Sequence, residues 1–217
     1  MPYVTVMMVV GWLIAAPSLV VGEEASGAGP LLAPPWSELR TNLPPTTQFL
    51  HDPPAIERFL DALDGSPPNW TVIHGPDGTG HDERLFALNR QRDQLREGRA
   101  ALTQTVTFLW AGILSAYDAA KGGFRVAIGP KVIQTRWGLV RFKADGLPSE
   151  LVALPPTELR ESLSVRVAGG EKVEIDIAMT GRLIPEESII YDFAHEDHGR
   201  GMVMPVVRVE RIDYLMR

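Results

Sequence analysis

The chain has 217 residues, of which 45% are apolar, 22% charged and 7% aromatic, a composition typical of folded globular proteins and not of disordered or collagenous ones. Its 20 Gly and 18 Pro predict many turns, and its lack of Cys excludes disulfides, thiolate metal sites and cysteine nucleophiles. The net charge of −6 opposes nonspecific binding to a phosphate backbone, so a nucleic-acid partner is not expected.

The amino-terminal segment is uncharged and mostly apolar from residue 3 to residue 22 (YVTVMMVVGWLIAAPSLVVG). Val20 and Gly22 suit a signal-peptidase site, so residues 1–22 predict a signal peptide and an exported protein, either periplasmic or secreted. An uncleaved anchor remains the alternative, because a segment of this length could span a bilayer. In that case the protein would contact a membrane only through this segment.

The next two regions differ in composition. Residues 23–53 contain the pairs Pro34-Pro35 and Pro44-Pro45 and end on the first proline of a third pair, Pro53-Pro54, which predicts an extended arm. Residues 54–102 predict a helical region with one short helix over 54–63 and a longer one over 82–98, which Asp82 would cap. Arg92, Arg96 and Arg99 share one side of the longer helix, which we interpret as a solvated face with Asp93 and Glu97 as ion partners.

Residues 103–217 predict a β domain in which Thr157 caps a single helix over 157–167. The strand candidates are 105–114, 124–128, 132–135, 138–142, 172–184, 189–193 and 203–215. The expected fold class is therefore α+β, mainly β.

The order of these elements resembles the oligonucleotide/oligosaccharide-binding (OB) fold, a small closed barrel. The segments that carry the resemblance are VTFLWAGIL as the first strand, GLVRF as the third, ELRESLSV as the bridging helix, VEIDIAMTGRLI as the fourth strand and PVVRVERIDYL as the last. The resemblance implies a small OB-like antiparallel β-barrel, and a β-sandwich remains open as the alternative.

The densest polar cluster is the segment 192–200 (DFAHEDHGR), which we call the late loop. Imidazole and carboxylate groups at this density predict a ligand site formed by Asp192, His195, Glu196, Asp197, His198 and Arg200. His195 and His198 are candidate ligands of a divalent metal such as zinc or copper. The alternative is an exposed hairpin loop.

A second polar segment, 74–83 (HGPDGTGHDE), precedes the longer helix, and we call it the early loop. Its three glycines permit close backbone approach to an anion, although His81 stands where a phosphate-binding loop requires Lys. Its candidate contacts are His74, Asp77, His81 and Asp82, and the alternative is a plain connection. Convergence of the two loops would bring His81 near His195.

The sequence lacks the GxSxG and HExxH motifs of common hydrolases. The leading hypothesis is therefore an exported, non-catalytic binding or structural protein whose ligand is a protein, a glycan or a small ion, with no cofactor. The alternatives are a metal-dependent enzyme that uses His195 and His198, and a nucleic-acid-binding OB module.

Overall fold

The computed structural model describes residues 27–32, 35–195 and 199–217, which form a mainly β structure with 41% strand and 31% helix. The predicted signal peptide and the residues Glu196, Asp197 and His198 lie outside the described residues. Among the described helices, none is long and apolar enough to span a membrane.

Eleven strands occur in the described ranges. They are β1 (Ala28–Leu32), β2 (Gln48–Leu50), β3 (Thr105–Asp118), β4 (Gly123–Gly129), β5 (Val132–Thr135), β6 (Gly138–Arg141), β7 (Lys143–Asp145), β8 (Val152–Leu154), β9 (Val173–Leu183), β10 (Ile189–Phe193) and β11 (Gly201–Met216). The α-helices are α1 (Pro35–Thr41), α2 (Pro53–Asp64), α3 (Trp70–His74), α4 (His81–Arg96) and α5 (Thr157–Ala168).

Six of these strands close into a barrel in the order β1-β8-β4-β3-β9-β11, and pairing of β1 with β11 completes the ring. The closed barrel is consistent at fold level with the predicted OB-like architecture. One detail of the prediction is wrong, because the expected third strand, GLVRF, lies outside the ring as β6. The ring closes through β8 and β1 instead, and β1 runs parallel to both of its neighbours.

The long strand β11 connects the barrel to a smaller sheet. Along one edge of β11 lie β6, β7 and β1, all parallel to it, and along the other edge lie β10 and β9, both antiparallel. The first residues of β11 therefore belong to a four-stranded sheet in the order β10-β11-β6-β5, which we call the small sheet. The remainder of β11 belongs to the barrel.

The hydrophobic core follows the alternation of the strands. In β9, Val173, Ile175 and Ile177 are buried whereas Glu174 is exposed, as the period-two pattern predicts. From Ala178 to Gly181 both faces of β9 are buried. A second apolar cluster explains the burial of Ala178, since Leu39 of α1 packs with Ala178 and Leu109 on the outside of the barrel.

The helices α2 and α4 are joined to β10 by a buried ion pair. The Arg96 guanidinium donates to Asp64 Oδ1 at 2.7 Å and to Asp64 Oδ2 at 2.9 Å, and Tyr191 donates to the same carboxylate. Burial acts to lower the pKa of Arg96, but the hydrogen bond and charge of Asp64 outweigh it and the pKa is raised. The expected solvated face is therefore wrong at Arg96, which is 1% exposed, although its predicted partner Asp93 does accept a bond at 2.7 Å.

Two predicted helix caps are also wrong. The longer helix begins at His81 after Gly80, whose φ of 63° requires glycine, and Asp82 lies in the first turn. The α5 helix includes Thr157 as its first residue, and no side chain caps it. In both helices an acidic residue of the first turn, Glu83 or Glu158, is placed favourably toward the helix dipole.

Candidate functional site

The early and late loops converge on the aromatic ring of Phe193, the last residue of β10. The ring centroid of Phe193 lies 5.4 Å from that of His74 and 5.6 Å from that of His81, with both imidazoles at steep angles to it. At the far end of the late loop, a Cβ on Gly199 would lie 3.4 Å from the His74 ring. The two polar segments, which are separate in the sequence, therefore meet in one region around Phe193, which precedes His195 by two residues.

Trp70 fixes the position of α3, and with it the start of the early loop, against the small sheet. Its ring covers Gly201 so closely that a Cβ there would lie 1.9 Å from Trp70 Cδ2. Its Nε1 donates to the Trp137 carbonyl at 2.8 Å, and its ring lies 5.7 Å from Phe193. Only glycine at position 201 allows this approach, so the packing of α3 depends on that residue.

Hydrogen bonds within the early loop determine its shape. Arg84 donates to the carbonyl oxygens of Ile73 at 2.6 Å and of His74 and Thr79, each at 2.7 Å. Asp77 accepts from the hydroxyl and the backbone N–H of Thr79, which holds the Asp77 pKa below its ordinary value. The polar side chains of this loop are therefore largely occupied by the loop itself.

The candidate residues His74, His81 and Asp82 also have local partners. His74 Nδ1 lies 3.0 Å from the Gly75 carbonyl oxygen, and His81 Nδ1 lies 2.6 Å from that of Gly78. His81 Nε2 lies 3.2 Å from Asp82 Oδ1. These contacts hold the two imidazoles in a stacked arrangement, with ring centroids 6.2 Å apart, and both rings pack against Phe193.

A groove opens on the face of the small sheet, beside the late loop, and we call it the outer groove. Its volume is about 520 Å³, and its lining residues are Val132, Leu139, Arg141, Ala194, His195, Arg200 and Met202. The register places Val132 opposite Arg141 and Leu139 opposite Met202, so the four side chains stand on neighbouring strands. The lining combines an apolar floor with two guanidinium groups and one imidazole.

The late loop contributes to the outer groove only in part. His195 is exposed and lines the groove, and Arg200 lines it while donating to the side-chain oxygen of Gln134. The half-buried Asp192 accepts from the backbone N–H of Phe193 at 2.8 Å and does not line the groove. Glu196, Asp197 and His198 lie outside the described residues, so their part in the site stays a prediction.

No metal centre is found within residues 27–32, 35–195 and 199–217, where no group of three or more His, Cys, Asp or Glu side chains could hold an ion. The predicted pair His195 and His198 includes one residue outside those ranges. A metal at that pair therefore stays a prediction.

Sequence reasoning missed the sheet residues of the groove. Leu139 and Arg141 lie two residues apart on β6, and the alternation of GLVRF already placed them on one face. The sequence gives no local sign that β6 pairs with the start of β11. That pairing places Met202 beside Leu139, although 63 positions separate them in the sequence.

Comparison with known proteins gives no relative, since no protein-family model, curated protein or solved structure matches this chain.

Proposed function

We propose that the chain is an exported, non-catalytic binding protein that holds an acidic, partly apolar segment of a partner protein in the outer groove. The observation that carries this proposal is the combination of an open apolar sheet face with a cationic rim in a protein of net charge −6. Such a rim steers a negatively charged partner and fixes its orientation.

The small sheet is covered on one face and open on the other. Its inner face packs against the helices, where Trp137 and Tyr191 are buried in one apolar cluster with Phe59 of α2. The Asn89 side chain of α4 covers the edge of β10, since it bonds the backbone N–H and C=O of Tyr191, each at 2.9 Å. On the other face Val132 is 50% exposed and Met202 is half-buried. Exposed apolar surface with a polar rim is typical of a protein-interaction site.

A polypeptide suits this groove better than a glycan or a small ion. Sugar-binding surfaces commonly offer an aromatic ring for stacking, and the described lining of the outer groove contains no Phe, Tyr or Trp. A groove of about 520 Å³ also exceeds what a single ion needs. Among the described lining side chains there is neither a hydroxyl nor a carboxylate beside His195 that could act with it in catalysis.

Binding of a labelled peptide of alternating Glu and Leu to the full chain, measured by fluorescence anisotropy, tests the groove. We expect salt-sensitive binding that Arg141→Gln weakens by about tenfold, since a charge-assisted hydrogen bond is lost. The matched control is Arg160→Gln, an exposed arginine of α5 that lies outside the groove. Equal binding of a Lys-Leu peptide, or unchanged binding by Arg141→Gln, would contradict the proposal.

The export part of the proposal rests on the apolar segment 3–22 and has a separate test. Expression of the full chain in a secreting host, followed by amino-terminal sequencing, should give Glu23 as the first residue of the mature protein. A mature protein that retains the segment and fractionates with the membrane would instead support the anchored alternative.

A further inference from the structure

A second concave site lies on the opposite side of α2 from the buried ion pair, and we call it the arginine pocket. Its volume is about 510 Å³, and it is lined by Arg40, Thr47, Gln48, Phe49, Leu50, His51, Asp52, Ala55, Arg58 and Ala62. Every residue from Thr47 to Asp52 takes part, so β2 and the turns on both sides of it form one wall. None of the residues of the early or late loop belongs to this lining.

One face of α2 forms a second wall. Ala55, Arg58 and Ala62 recur three and four residues apart, which places them in one row on the helix surface. The two alanines leave space beside the guanidinium of Arg58. Within the described residues, Arg58 makes neither an ion pair nor a hydrogen bond, so all of its donors are available to a ligand.

Arg40 brings a second guanidinium to the pocket from α1. Its Cζ lies 5.2 Å from the ring centroid of Phe49, a cation–π contact that restricts the long side chain without using a carboxylate. His51 adds an imidazole. The one carboxylate of the lining, Asp52, accepts from Ala55 N–H at 2.8 Å and lies 3.5 Å from His51 Nε2. Two guanidinium groups and one carboxylate give the lining a net positive charge.

Thr47 supplies an independent observation. It is 8% exposed, and among the described residues its Oγ1 is the one buried side-chain polar atom without a hydrogen-bond partner. A buried hydroxyl without a partner destabilises a fold, so such an atom calls for an explanation. Thr47 also lines the pocket, so a change of its χ1 rotamer is a route by which this hydroxyl could reach a ligand there without movement of the backbone.

We propose that the arginine pocket binds a small organic molecule through its phosphoryl group. Planar guanidinium groups bind phosphate oxygens with two parallel hydrogen bonds, and a hydroxyl can donate to a third oxygen. Two arginines, a threonine and a histidine provide more donors than the two oxygens of a carboxylate can accept. A pocket of this volume has room for an organic group beside Phe49, Leu50 and the two alanines.

Calorimetric titration of the full chain with phenyl phosphate, inorganic phosphate and benzoate tests the proposal. We expect saturable binding of phenyl phosphate, weaker binding of phosphate and weaker binding still of benzoate. Arg40→Gln and Arg58→Gln should each weaken phenyl phosphate binding by about tenfold. The control Arg90→Gln removes the same charge from an exposed arginine of α4 outside the pocket and should leave the affinity unchanged.

Thr47→Val separates a ligand-binding hydroxyl from a merely buried one. Valine keeps the shape of threonine, so the free variant should fold with a melting temperature equal to or above that of the wild type, while its affinity for phenyl phosphate falls. Unchanged affinity in Thr47→Val, equal binding of benzoate and phenyl phosphate, or the absence of saturable binding would each overturn the proposal. None of these results bears on the outer groove, which shares no residue with this pocket.

Discussion

Asp64 is a charged residue, buried among the described part of the chain, whose loss should strongly destabilise this fold. Its carboxylate is completely buried, accepts two bonds from Arg96 and accepts the hydroxyl of Tyr191. Burial, with the charge of Asp64 beside it, raises the pKa of Tyr191 far above its usual range, so the phenol keeps its proton and remains a donor. The three side chains are buried together, and Arg96 completes its hydrogen bonds with Asp93, the Ser188 hydroxyl and the Ile189 carbonyl.

We predict that Asp64→Asn lowers the free energy of unfolding by about 3–5 kcal/mol, because Arg96 would lose its buried carboxylate and keep only the half-exposed Asp93 as an ion partner. The matched control is Asp93→Asn, which removes a carboxylate from the same arginine at a position 46% exposed. That change should cost about 1 kcal/mol or less. Urea denaturation of both variants measures the difference, and similar costs for the two would show that burial does not govern this pair.

The sequence predicts this pair only in part. Arg96 follows Arg92 by four residues and precedes Arg99 by three, and that spacing is equally compatible with a solvated helix face and with a buried contact. Its partner Asp64 lies 32 residues earlier and was expected just beyond the end of the first helix. Pairing over such a distance depends on how α2 packs against α4, which local periodicity does not specify.

At the scale of elements, the contact between α3 and β11 depends on a single glycine. We predict that Gly201→Ala destabilises the protein by about 1–3 kcal/mol or more, because its Cβ would overlap the Trp70 ring and displace α3 from the small sheet. Gly129→Ala is the control, since a Cβ there meets nothing within 4 Å. Thermal unfolding and tryptophan fluorescence would record the change, and an equal effect of the two substitutions would argue against the steric explanation.

Strands set off by nearby turn residues were predicted well, and strands that pair only with distant parts of the chain were not. The predicted bounds of β5 and β10 are those of the structure, and the period-two pattern of the β9 sequence holds over its first half. The strands β1, β2 and β8 have 5, 3 and 3 residues and pair over long distances, so they show no local pattern. The same reason explains why the floor of the outer groove was missed while both polar loops were found.

At the scale of the whole molecule, the barrel closes where β1 meets β11, and Tyr214 lies at that closure. It stands opposite Leu31 of β1, is fully buried, and donates its hydroxyl to the Gly27 carbonyl at 2.8 Å. Burial raises the pKa of Tyr214 from 10.0 to about 12. Ionisation of this phenol would place a negative charge inside the barrel.

We predict that alkaline pH destabilises the barrel through this residue. The pKa of Tyr214 is higher in the folded state than in the unfolded one, so its protonated side chain contributes fully to the free energy of unfolding below pH 10. That contribution, about 2–3 kcal/mol, is lost as the pH rises through 12. The free energy of unfolding, measured by denaturation between pH 10 and pH 12, should fall less steeply with pH in Tyr214→Phe than in the wild type. Tyr117→Phe, at a tyrosine that is 37% exposed, should leave the slope unchanged. A wild-type slope in Tyr214→Phe would refute the assignment.

The position of β1 limits where the protein can sit if its apolar leader is retained. β1 begins at Ala28, and only residues 23–27 separate it from the expected cleavage point near Gly22. A tether of that length reaches at most about 17 Å when fully stretched. An uncleaved chain would therefore keep its barrel pressed close to the lipid headgroups, whereas processing would release it to diffuse freely.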